Sequence, residues 1–156
     1  METVKLNNEL VFSYPEGFVK MDKEELSKGL GYNEENGFGI KDVQRHLIIS
    51  IGWKRSAFAS FMLSETEAAK KAEENISRMM KTYGYKLENL YEKSAGDEKC
   101  AGFRYTYKAQ ETEMTGESWC VKYNKTFYYF NFYMRTELFD ESQEVLNEIL
   151  DQIRWE

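Results

Sequence analysis

The run from Trp119 to Arg135, WCVKYNKTFYYFNFYMR, constrains this chain more than any other segment. Trp119, Val121 and Tyr123 fall on one face of a period-two pattern, and Tyr128, Phe130, Phe132 and Met134 on one face of the next. A short polar stretch separates the two runs, which predicts a β-hairpin. The opposite face of the second arm carries Phe127, Tyr129, Asn131, Tyr133 and Arg135. A strand with rings on both faces either runs through the middle of a covered sheet or presents one face to a partner. The pattern alone leaves open what covers that second face.

Composition narrows the class. A chain of 156 residues with one proline reads as a single α+β domain over residues 1–156. Chains of this size typically bury about 70% of their unfolded surface, so no metal or disulfide staple is required. Aromatic residues make up 15% of the chain, which excludes a disordered segment. The formal charge of −6, from 27 acidic and 21 basic side chains, disfavours nucleic acid and anionic membranes as bulk partners, although a local basic patch can override the average. No run approaches the ~20 apolar residues of a membrane span. METVKLNNEL shows no secretory leader, so the expected location is cytoplasmic.

The remaining elements follow from period and punctuation. Leu10 to Tyr14 reads as a strand stopped by Pro15-Glu16-Gly17, and Asp22 opens a short helix with Glu25 reaching back. Residues 31–43, with three glycines, read as the longest loop: an ordinary connection, or a mobile lid. Arg45 to Lys54 reads as a strand with Leu47, Ile49, Ile51 and Trp53 on one face. Ser64-Glu65-Thr66-Glu67 is a capping box for the longest helix, whose apolar stripe is Ala68, Ala72, Ile76, Met79, Met80 and Tyr83, with Gly84 as its stop. Glu67–Lys71 and Glu74–Arg78 have the spacing of ion pairs on its wet face. Four strands near 86–93, 99–109, 114–123 and 126–136 predict an antiparallel meander. A last helix, capped by Asp140, carries the stripe Val145, Leu146, Ile149, Leu150 and Ile153, with Trp155 anchoring the end. Helices and strands segregated in this way predict α+β architecture with a mainly antiparallel sheet flanked by helices.

No reaction is legible. With a single histidine a multi-histidine zinc site is excluded within one chain, and His46, Cys100 and Cys120 lack structural zinc spacing. Neither a phosphate-binding glycine loop nor a nucleophile elbow occurs. His46 and Ser50, four apart on one strand face, stand about 13 Å apart and cannot hydrogen-bond directly. Cys100 and Cys120 are predicted to share a face on adjacent strands. A position sum near 220 sets them opposite and a two-residue shift sets them diagonal, so a cross-strand disulfide competes with simple packing.

The opening Phe12-Ser13-Tyr14-Pro15-Glu16-Gly17-Phe18, the long helix after the Leu47–Trp53 strand, the meander, and a final helix closing on Ile153-Arg154-Trp155 resemble the PsbP-like superfold. That group includes photosystem PsbP proteins, a Ran-binding import factor and bacterial DcrB-type proteins. The resemblance implies an α/β/α sandwich whose members mostly bind proteins instead of catalysing. It transfers no functional residue. The expectation is therefore a non-enzymatic protein-binding module (adaptor, effector chaperone or immunity-like protein) with no cofactor and no metal. Its candidate partner-binding residues are Phe127, Tyr129, Tyr133 and Arg135. The alternative is a small-molecule or lipid-binding domain with an aromatic-lined pocket.

Overall fold

A computed structural model describes the chain except Gly31, Tyr32 and Glu34, and describes no side chain at Gly29 and Leu30. Gly29, expected with Gly31 to stop the first helix, lies within it, and Gly31 falls outside the described residues. The chain opens with a hairpin of β1 (Glu2–Leu6) and β2 (Leu10–Tyr14), then β3 (Val19–Lys20), α1 (Lys23–Leu30), β4 (Gly37–Asp42) and β5 (Leu47–Arg55). Two helices follow, α2 (Ala57–Met62) and α3 (Glu65–Met79). The meander comprises β6 (Lys86–Ala95), β7 (Glu98–Ala109), β8 (Thr112–Tyr123) and β9 (Thr126–Arg135), and the chain closes with α4 (Phe139–Gln152) and β10 (Arg154–Trp155).

Seven strands form one antiparallel sheet in the order β3-β4-β5-β9-β8-β7-β6, so the aromatic strand β9 is central. Three tight loops build the meander: Gly96-Asp97, Gln110-Glu111 and Asn124-Lys125 all have positive φ at both residues. That conformation matches the right-handed strand twist and closes hairpins with no residue to spare.

Each sheet face has its own cover. On one, Trp119, Tyr128, Phe130 and Phe132 pack with Ile49 and Ile51 against α4 and a second sheet, β1-β2-β10. Each fully buried ring there contributes on the order of 1.5–3 kcal/mol through removal from water. The apolar stripe of α4 docks as expected through Leu146, Ile149 and Ile153. Trp155 does anchor the terminus: its Nε1 donates to the Ala95 carbonyl at 2.8 Å and its ring stacks on Tyr123. On the other face, α3 lays Ala68 and Ala69 over Ala101, Cys120 and Phe127.

Several local expectations need correction. Residues 37–42 are strand, not loop, with Phe38 and Ile40 buried between β3 and β5. Pairing with β5 along its whole length, and with β3 at Ile40 and Lys41, compensates for the poor strand propensity of Gly37 and Gly39, and a strand so held cannot serve as a lid. His46 sits in the turn before β5 with φ +53 and is exposed. The α3 stripe is buried only at its start, while Met79 and Tyr83 are exposed. Glu67 is spent on the capping box, and Arg78 turns to Asn75, so neither expected ion pair on α3 forms among the described residues. Leu138, not Asp140, is the N-cap of α4, because a short 3-10 turn at Thr136–Leu138 leads into it.

The cysteines are corrected as well. Ala109 pairs with Thr112 across the two-residue loop, which puts Cys100 opposite Val121 and Cys120 opposite Ala101. The position sum is thus odd. A one-residue difference in register reverses side-chain direction, so Cys100 packs on the α4 side and Cys120 beneath α3.

Candidate binding face

The face of β9 that carries Phe127, Tyr129, Tyr133 and Arg135 is covered unevenly. Phe127 is buried under α2 and α3, and Tyr129 is half-buried beside it. Both border a groove of about 320 Å³ with Ala59, Leu63, Lys71 and Ala72. Tyr133 and Arg135 lie at the other end of the strand, in a second groove of about 360 Å³ with Ile48, Met114 and His46. Arg135 reaches Glu137 at 3.5 Å. The four candidates therefore separate into two pairs.

The helix α2, absent from the sequence-based reading, carries a cluster of exposed large apolar side chains. Phe58, Phe61 and Met62 are 78%, 88% and 57% exposed. Their i, i+3, i+4 spacing is that of a core stripe, yet it points to solvent. The polar backbone groups explain the orientation. Ser56 caps the helix by accepting from Ala59 N–H at 3.1 Å, and its own N–H donates to the Lys125 carbonyl at 2.9 Å. From β8, Lys122 Nζ donates to the carbonyls of Ser60 and Leu63 at 2.9 and 3.0 Å. A cation at the last carbonyls stabilises a helix end. With both ends fixed and Phe127 filling the space below, only Ala59 and Leu63 reach inward.

Opposite faces of the sheet differ electrically. On the α4 side, Glu117 is wholly buried. It accepts from the Tyr91 hydroxyl at 2.7 Å, Arg104 Nη2 at 3.0 Å and Gln143 Nε2 at 2.5 Å. Trp119 Nε1 donates in turn to the Tyr91 oxygen at 2.8 Å, and Lys93 Nζ lies over the Trp119 ring at 4.2 Å. Burial, then the charge of Glu117, pushes the Tyr91 phenol far up, and burial lowers the Lys93 ammonium. A carboxylate satisfied by three donors and shut from solvent is a packing device, with no opening for a substrate. Burial also lifts both thiols to about 12, which makes them inert. Among the described residues no three His, Cys, Asp or Glu side chains converge as metal ligands. Nor is any described helix long and apolar enough to cross a membrane.

No protein-family model matches the chain, and no curated relative is found. Solved structures do match. LpqN of Mycobacterium tuberculosis, involved in cell envelope biogenesis, aligns over 94% of this chain and 82% of its own, with 11% identity and a TM-score of 0.64. Cyanobacterial PsbP (CyanoP) of Synechocystis sp. PCC 6803 aligns over 94% and 86%, with 11% identity and a TM-score of 0.64. The Ran-binding protein Mog1p of Saccharomyces cerevisiae aligns over 98% and 94%, with 8% identity and a TM-score of 0.61. At such identities the likeness speaks for the backbone alone. Its breadth, together with the antiparallel sheet flanked by helices, shows that the chain has the PsbP-like fold.

Proposed function

We propose that this chain is a non-enzymatic protein-binding module that docks its partner on α2 and the adjoining groove. One observation carries the reading: Phe58, Phe61 and Met62 form a helical apolar stripe held facing solvent. Apolar surface left in water is costly, and clustered large side chains of this kind mark interaction sites on soluble domains. Aromatic side chains of that size also supply the anchors of protein interfaces. Phe127 and Tyr129 floor the groove beside the stripe, while Tyr133 and Arg135 belong to the farther groove. The Ran-binding role of Mog1p, a structural neighbour, is in keeping with a protein partner. The alternative of a small-molecule or lipid site ranks second, because both grooves fall at the lower end of the ~300–1,000 Å³ range of ligand pockets and neither accounts for the outward rings.

A photocrosslinking residue placed at Phe61 in the source cell tests the reading, with one at the exposed Glu148 of α4 as the control. A saturable adduct with a protein at the first position, absent from the second and lost on Phe58→Ser, is the expected result. Indistinguishable adducts at both positions refute the docking role of α2. Because the Phe61 side chain touches little, Phe61→Ser leaves unfolding free energy within about 0.5 kcal/mol, so lost binding is not lost folding.

A further inference from the structure

We infer that the groove between α2, α3 and β9 accepts a partner segment in which an apolar side chain is flanked by carboxylates. The inference rests on the docking role proposed for α2 and adds the chemistry of the occupant. The chain as a whole carries −6, yet this region has the opposite sign. Lys54 and Lys122 stand on either side of Phe127 in register across β5, β9 and β8. Lys71 borders the groove from α3. Lys125, whose carbonyl holds the cap of α2, stands at the start of that helix.

Lys122 is engaged by the carbonyls of α2. By contrast, Lys54 and Lys71, which line the groove, and the nearby Lys125 make no ion pair among the described residues. Of the carboxylates on α3, Glu67 is turned to the Ser64 cap, Glu65 to Lys99 and Glu73 to the Tyr85 hydroxyl. Unpaired cations around an apolar hollow steer and orient an anionic segment. The hollow fixes the rest of the description. Its floor of Ala59, Leu63, Ala68, Ala72 and Phe127 leaves about 320 Å³, room for an inserted apolar side chain, while Phe58 and Phe61 stand outside it to grip the flanks. A protruding anchor is what a peptide offers and a flat lipid surface lacks, so the geometry favours a peptide over an anionic membrane.

Selection from a display library of random short peptides on the full chain tests this. Binders abolished by Phe61→Ser are retained as those that use α2. The expected retained set is enriched in Asp and Glu around a Leu, Phe or Trp. Its affinity falls roughly tenfold or more on Lys54→Glu with Lys71→Glu, falls less on Lys54→Gln, and is unmoved by Lys108→Glu on β7. Raising salt from roughly 0.05 to 0.5 M weakens it as well. A retained set that is neutral or basic, or that ignores the reversal at Lys54 and Lys71, overturns the inference and leaves the docking role of α2 standing. Absence of any binder sensitive to Phe61→Ser removes the docking role itself. Phosphatidylserine vesicles that bind in a Phe61-dependent manner where no peptide does overturn the peptide occupant in favour of a membrane.

Discussion

Cys100 and Cys120 occupy neighbouring strands and face opposite sides of the sheet, Cys100 opposite Val121 and Cys120 opposite Ala101. Both are buried free thiols. A disulfide between them requires side chains that converge, and here the sheet itself stands between the two sulfurs. Incubation with oxidised glutathione should leave both thiols titratable after denaturation without reductant. Detection of a linked Cys100–Cys120 peptide by mass spectrometry would show that the register is wrong.

The same burial makes the fold sensitive to alkali. Both thiols are raised from 9.0 to about 12, chiefly by desolvation. Tyr14 and Tyr107 are raised from 10.0 to about 12, again chiefly by burial. Each group keeps its proton more tightly when folded, so its contribution is fully present below the unfolded value and is lost as pH rises toward the folded one. Urea midpoints are expected to be flat up to about pH 9 and to decline between about 9 and 12. A flat midpoint up to about pH 11 would contradict this.

Glu117 holds three donors in a site without water-accessible surface. Removing it strands the Arg104 charge and the Tyr91 hydroxyl. Glu117→Ala is expected to cost about 3–5 kcal/mol in urea unfolding, and joint replacement of Arg104 and Glu117 by apolar residues to cost less than that single change. If the double variant proves the weaker of the two, the network contributes net stability of its own.

The Tyr105 ring covers Gly116, so that a Cβ added there lies 2.2 Å from Tyr105 Cζ. Tyr105 is fully buried against Tyr85, Phe103 and Tyr107 and has little freedom to yield. Gly116→Ala is expected to cost about 1–3 kcal/mol through overpacking, and much less on a Tyr105→Leu background, a coupling measurable by a double-mutant cycle. The Tyr105 hydroxyl has no hydrogen-bond partner among the described residues. Tyr105→Phe is therefore expected to be neutral or stabilising by about 1 kcal/mol. A marked loss of stability would reveal a partner for that oxygen.

Much of the architecture was legible because its signals are local. The four meander strands, the Ser64 capping box, the Asp22–Glu25 cap and the α4 stripe all appear where their periods and punctuation put them. The rest was decided by contacts between segments distant in sequence. β4 is a strand because β3 and β5 pair with it, despite its glycines. β1 carries too weak an alternation to be read without β2 beside it. The odd register of β7 and β8 came from the length of a turn, and one residue there reverses the direction of Cys120 relative to Cys100. The α2 stripe was present in Phe58, Phe61 and Met62, and a capping serine precedes it. Period tells which residues share a face, not which way that face points. For α2 the direction was settled by Lys122 and Ser56, which fix its ends, and by Phe127, which already fills the space beneath. The sequence alone thus determined an aromatic, two-faced central strand. Only the tertiary structure decided that its second face is half core and half groove, because cover depends on where the helices can be tied.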